Sequence, residues 1–241
     1  AIGRPYVEYF SDPFIIGLED ENANMMHNIL RKMEQGGLPQ EYYVYNTGGV
    51  GADTNEEASG RQYKKIPREL TLMLQEAVLR EAVHFEYDEI MHADVAVAMV
   101  NSRGERVPAL TSEWIPRKLY GEAEYRVRVA ELLHRRFYGR DAQDKAGILR
   151  YTKVNDAIFD IDHIPTPHTE RELAWLLSFY WKLDHAYDSI GELTPNLQQG
   201  RRPPGDIVSS LQVKYEAGLA DGLKLTPQAA AALRELGIQA K

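Results

Sequence analysis

Strand-like and helical patterns alternate along the first hundred residues, and beyond residue 120 the patterns are helical alone. That order predicts an α/β (mixed α+β) lobe followed by a mainly helical C-terminal region. A composition of 44% hydrophobic and 27% charged residues belongs to a folded globular chain, not a disordered or collagen-like one. The mean hydropathy of −0.44 agrees. The length of 241 residues suits one large domain or two modest ones. The patterns divide at 1–118 for the lobe and 119–241 for the helical extension, with a linker-like break near 200–205 (GRRPPG).

Each element has a local reason. Residues 5–17 mix Tyr, Val, Phe and Ile around Asp12-Pro13, a strand or strand pair with a turn. Glu19-Asp20-Glu21 precedes Met25, Met26, Ile29, Leu30 and Met33 at helical spacing, and Gly36-Gly37 stops the helix. Tyr42-Tyr43-Val44-Tyr45 reads as a strand. Asn46 to Gly60 is a loop, and Gly60 to Ile66 a short strand. Pro67 opens a helix whose face carries Leu70, Leu74, Ala77, Val78 and Ala82. His84 to Ile90 and Ala93 to Val100 are strands, and the second, nearly all Ala and Val, implies burial on both faces. A turn at Ser102-Arg103-Gly104-Glu105 follows. Residues 121–138 form an amphipathic helix, and 139–168 are irregular. Thr169 with Glu172 forms a capping box, opening a helix with Trp175, Phe179, Tyr180 and Trp181, aromatics for a core or an interface. Two helices, at 206–221 and 227–236, end the chain.

Charge and residue usage narrow the function classes. A net charge of −8 argues against a general nucleic-acid binder, which gathers Lys and Arg to neutralise phosphates. No apolar run approaches the roughly 18 residues that a membrane span needs. The absence of cysteine removes disulfides and thiolate chemistry, and fits a cytoplasmic protein. The chain opens Ala1-Ile2-Gly3-Arg4 without an initiator Met or a signal-peptide pattern, so the reading expects a piece of a longer protein.

Three stretches carry chemistry. Tyr45-Asn46-Thr47-Gly48-Gly49-Val50-Gly51-Ala52 is rich in glycine, so its backbone N–H groups can turn toward an anion. It lacks the Gly-Lys-Ser/Thr of a Walker A motif, and an ordinary surface loop has the same composition. Arg61, Lys64, Lys65 and Arg68 gather cations that either meet phosphate or form a solvated basic turn. Asp160, Asp162, His163 and His168 offer hard ligands for Mn²⁺ or Zn²⁺, or end a strand with exposed acids.

Residues 10–99 resemble the C-terminal, nucleotide-binding part of ATP-dependent phosphoenolpyruvate carboxykinase. Asp12-Pro13-Phe14 stands at the family's small-residue/Pro-Phe turn. Asn46-Thr47-Gly48 matches its Val-Asn-Thr-Gly, and Gly49-Val50-Gly51 continues the glycine loop. A basic segment precedes a helix containing Glu76-Ala77-Val78-Leu79, and Phe85-Glu86-Tyr87-Asp88 with the apolar strand after it completes the order. The resemblance implies a carboxykinase C-terminal fold and a nucleotide site shaped by Asn46, Thr47, Gly48, Gly49 and Gly51. In the family an Arg and a Thr after the loop touch the nucleotide. Lys65 falls at the Arg position and Thr71 at the Thr position, with Arg61 or Arg68 as substitutes after a small shift. The family's aromatic after Asn-Thr-Gly is Gly49 here, and no P-loop or metal-binding Lys, His and Asp is found.

The implied function is therefore that of a C-terminal domain, giving the adenine side of a phosphoryl-transfer site and inactive alone. The full-length protein would bind ATP or GTP with Mg²⁺ or Mn²⁺, as a lyase or phosphotransferase acting on a small carboxylic acid. No cofactor is expected tightly bound to this chain. The expected partners are the missing N-terminal domain of the same protein, the nucleotide, and a second copy through the helical region; nucleic acid and membrane are not. Two alternatives stand beside this reading. One is a non-enzymatic interaction or oligomerisation module using residues 169–220. The other is a metal hydrolase using Asp160, Asp162, His163 and His168.

Overall fold

The computed structural model describes residues 19–38, 40–52, 62–108, 110, 113–139, 147–155, 158–159 and 161–240. The Asp12-Pro13-Phe14 landmark, Arg61 and Asp160 lie outside them. The described residues form two compact units, one within Glu41–Glu131 and the other within Tyr9–Gln40 and Leu132–Lys241. Both helix and strand are present, and among the described residues the strands form two small sheets.

In the first unit, β1 (Gly49–Gly51) and β2 (Tyr63–Lys65) pair antiparallel. Helix α1 (Glu19–Gln35) belongs to the second unit. Helix α2 (Arg68–Leu79) follows β2 and buries Leu70. Strands β3 (Val83–Asp88), β4 (Ala93–Val100) and β5 (Arg106–Val107) form an antiparallel meander. Side chains build both of its turns. Asp88 Oδ1 accepts from the N–H groups of Ile90 and Met91, each at 2.9 Å. Asn101 Oδ1 accepts from those of Arg103 and Glu105, at 2.9 and 3.0 Å. These short acceptors satisfy donors that a turn leaves over.

Two strand expectations change. Residues 42–45 form no strand, and Val44 is 98% exposed. Tyr and Val favour strands only where a partner supplies hydrogen bonds and cover, and this segment pairs with no strand among the described residues. Strand β4 buries only Ala98 and Met99 fully. An antiparallel meander can keep one face wet, so an Ala/Val run here does not require cover on both sides.

Helices α3 (Pro116–Tyr120) and α4 (Glu122–Tyr138) follow, α4 as the periodicity predicts. Arg117 is the hub of this region. Its guanidinium donates to Asp88 Oδ2 at 3.3 Å, to both oxygens of Glu89 at 2.9 and 3.0 Å, and to both of Glu122 at 2.7 and 2.9 Å. Arg126 adds a second cation beside Glu89 and Glu122. Asp88 is 5% exposed. Its burial pushes its pKa up, but the amides of Met91 and Ile90, Tyr125 and Arg117 outweigh that and hold it low. The Arg117 hydrogen bonds pull Glu89 down to about 2.

The second unit is built around α5 (Glu170–Tyr180), in which every residue from Leu173 to Tyr180 is buried. Its core also takes Phe137, Leu149, Ile164, Leu183, Leu193 and Leu211. The capping box read from Thr169 and Glu172 is present in full. Trp175, Phe179 and Trp181 therefore serve the core, not an external surface. Helices α6 (Thr194–Gln198), α7 (Gly205–Ala220) and α8 (Pro227–Glu235) complete the unit, α8 capped by the Thr226 hydroxyl.

Helix α1, counted with the lobe by its sequence position, groups instead with this unit. Asp20 Oδ2 and Asn24 Oδ1 accept from the backbone N–H groups of Lys153 and Asn155, each at 2.7 Å. Asn24 Nδ2 returns a bond to the Lys153 carbonyl at 2.9 Å. Its Met25, Met26 and Ile29 are exposed, so polar contacts contribute to its attachment alongside helical spacing. The boundary between the two compact units falls at 131/132, inside α4. No helix among the described residues is long and apolar enough to cross a membrane.

Two predictions follow from these contacts. Carboxylates with lowered folded pKa values stabilise above the unfolded value of about 4 and lose that contribution as pH falls toward the folded one. Arg117→Met should therefore flatten the loss of stability between about pH 4 and pH 2, measured as the urea midpoint against pH. Thr169→Ala should lower the unfolding free energy by about 1 kcal/mol in the same assay, through loss of the α5 cap.

Candidate functional site

The glycine loop is shaped by its own asparagine. Asn46 Oδ1 accepts from Gly48 N–H at 2.9 Å, and Asn46 Nδ2 donates to the Gly49 carbonyl at 3.2 Å. The Ile66 N–H then donates back to the Gly48 carbonyl at 3.0 Å, closing the hairpin. Its register places Gly49 opposite Lys65, Val50 opposite Lys64 and Gly51 opposite Tyr63.

Glycine is required at two of these positions. A Cβ on Gly49 would stand 2.4 Å from the Tyr63 ring. Gly51 has φ +99°, and a Cβ there would stand 2.4 Å from the Gln62 carbonyl oxygen. Tyr120 holds the same glycine from outside. Its hydroxyl accepts from Gly51 N–H at 2.8 Å and donates to the Gly51 carbonyl at 3.1 Å. The Arg128 guanidinium lies over the Tyr120 ring at 4.3 Å, and Glu124 pairs with Arg128 at 2.8 Å.

The hairpin thus brings Asn46, Gly48, Gly49, Gly51 and Lys65 together. Thr47 is exposed beside them. Thr71 lies in the first turn of α2, half-buried, its N–H donating to the Pro67 carbonyl. Lys64 forms an ion pair with Glu113 at 2.9 Å. Lys65 is exposed and forms no ion pair among the described residues. Arg68 is exposed at the start of α2.

The Asp/His stretch does not assemble as its spacing implies. Asp162 and His163 lie exposed in the turn Ile161–His163. His168 instead joins His134 and Glu172, the one group of three His, Asp or Glu ligand residues gathered among the described residues. The His134 and His168 rings stack at 4.3 Å, 12° from parallel. His134 Nε2 is 3.4 Å from Glu172 Oε2, within ion-pair range. The nitrogen is buried and makes no hydrogen bond among the described residues. Glu172 Oε2 also accepts from the N–H groups of His168 and Thr169, at 2.6 and 3.1 Å. Burial raises the Glu172 pKa, but nearby His134 and these amides outweigh it, leaving it below the usual value.

Sequence reasoning found Glu172 as a capping residue but missed its pairing with His134. The two are far apart in the chain and belong to different helices, so no short-range spacing signals the contact.

No protein-family model, curated protein or solved structure matches the chain. Two constellations in the structure carry chemistry, the glycine hairpin and the His134–His168–Glu172 group.

The first one makes a direct prediction. Tyr120→Phe leaves a part-buried amide and carbonyl without their partner. It should cost about 1–3 kcal/mol of stability. Hydrogen exchange at the Gly51 amide should accelerate, whereas a change confined to distant amides would show that Tyr120 does not hold the loop.

Proposed function

We propose that the unit Glu41–Glu131 contributes one wall of a nucleotide site in a carboxykinase-like protein. Asn46, Thr47, Gly48, Gly49 and Gly51 form the loop at the nucleotide, and Lys65 and Thr71 approach its phosphate or base. One observation carries the reading: the hairpin register sets Lys65 directly across from Gly49. That register puts the cation matched to the family's Arg beside the loop matched to its Asn-Thr-Gly. Lys65 offers a point charge in place of a planar fork, which lowers geometric selectivity but keeps the attraction for phosphate. The Tyr63 ring lies against Gly49, the position at which the family carries an aromatic, and this supports the reading.

Phosphoryl transfer works by positioning and by neutralising charge, chiefly through a P-loop and divalent metal. These 241 residues contain no Walker A pattern. The P-loop and its Mg²⁺ or Mn²⁺ therefore belong, in this reading, to an N-terminal domain of the same protein, and this chain binds ATP or GTP without catalysing transfer.

Titrating the chain with a fluorescent ATP analogue at low salt tests the proposal. Lys65→Ala should weaken binding about tenfold, the worth of one charge-assisted contact, with a smaller salt dependence. Thr71→Ala should weaken it less. Unchanged affinity in both variants would remove the proposed site.

A further inference from the structure

We infer that His134, His168 and Glu172 form a binding site for a divalent transition-metal ion of the zinc class, in the helical unit and separate from the glycine loop. The three ligand atoms lie within 4.8 Å of one another. Two zinc bonds of about 2.0–2.1 Å meeting at a tetrahedral angle span about 3.4 Å between their ligand atoms. His134 Nε2 and Glu172 Oε2 already stand 3.4 Å apart. The buried nitrogen meets no partner in full hydrogen-bond geometry, and in the neutral tautomer that carries its proton on Nδ1 it turns a lone pair toward the carboxylate, which a metal ion between them satisfies.

His168 must move to complete the set. Its ring runs nearly parallel to that of His134, so the two lone pairs do not converge as they stand. His168 is exposed, however, and His134 and Glu172 are half-buried. The side chain that must turn is the one least held. Two fixed ligands and one swinging ligand leave the fourth position of a tetrahedral ion to water.

Ligand chemistry selects the ion. Imidazole with carboxylate suits Zn²⁺, Ni²⁺ or Cu²⁺ better than Mg²⁺ or Ca²⁺, which prefer all-oxygen shells. The site sits at the N-terminus of α5, whose partial positive charge opposes a cation. The Glu172 carboxylate at the third helical position offsets that charge. Its two backbone hydrogen bonds fix where its oxygens lie before any ion arrives.

The experiment is calorimetric titration of the metal-stripped chain with Zn²⁺, followed by Co²⁺ for its visible tetrahedral bands. Wild type should bind one Zn²⁺ with a Kd at or below about 10 µM. His168→Ala should weaken binding at least about tenfold and abolish the Co²⁺ bands. Glu172→Gln, which can keep the capping box, should do the same while far-UV circular dichroism stays unchanged. His163→Ala, outside the cluster, should bind as wild type does. No stoichiometric Zn²⁺ in wild type, or equal affinity in wild type and His168→Ala, overturns the site. Loss in His163→Ala with retention in His168→Ala overturns it as well.

Discussion

From Leu173 to Tyr180 helix α5 is buried on every face, while its first turn reaches the surface. A helix leaves its first amide groups without intrahelical partners, and at α5 one carboxylate answers most of that need. Glu172 Oε2 accepts from His168 and Thr169 while the Thr169 hydroxyl accepts from Glu172 N–H. The core of the helical unit packs around α5, so Leu149, Leu193, Leu211 and Leu233 depend on where this helix starts. The same carboxylate that starts α5 also faces His134. A structural cap and a candidate ligand set thus share one oxygen, and against the effect of burial His134 and the His168 and Thr169 amides hold the Glu172 pKa below its usual value.

The α/β unit meets a similar demand with a cation. Arg117 connects the β3–β4 turn to the first turn of α4 through Asp88, Glu89 and Glu122. Single exposed ion pairs contribute little, but a planar guanidinium shared by three carboxylates holds a geometry that no isolated pair can. Asp88 gains twice: its Oδ1 shapes the turn and its Oδ2 meets Arg117. Removing the turn's acceptor would also leave the guanidinium short of one partner.

Legibility in the sequence tracks how local the cause is. The Thr169–Glu172 box and the turn at 102–105 act within five residues and stand where the sequence places them, while Pro67, expected as the first helical residue of α2, is its N-cap, and Asn101, which the residue types of the turn do not signal, is the turn's acceptor. The strand expected at 42–45 fails because a strand is a property of two segments, and composition describes one. Chain position alone puts α1 beside the lobe, whereas Asp20 and Asn24 tie it to Lys153 and Asn155, more than a hundred residues away. The candidate ligand set is half legible for the same reason. His168 and Glu172 are one helical turn apart, while His134 arrives from another helix through packing that no spacing encodes.

The basic stretch shows how structure selects among equivalent residues. By composition Lys64 and Lys65 are interchangeable, two adjacent cations on a short strand. Successive side chains of a strand point to opposite faces, so the two cannot share a role. Lys64 lies opposite Val50 and reaches Glu113, which neutralises it. Lys65 lies opposite Gly49, a residue with no side chain to cover it. A shift of one residue in register would exchange the two, placing the paired lysine at the glycine loop and the other beside Glu113. That register is held by cross-strand backbone bonds on both sides of the paired residues, from the Ile66 N–H to the Gly48 carbonyl and from the Ala52 N–H to the Gln62 carbonyl. The charge available at the loop is thus decided by backbone groups that carry none.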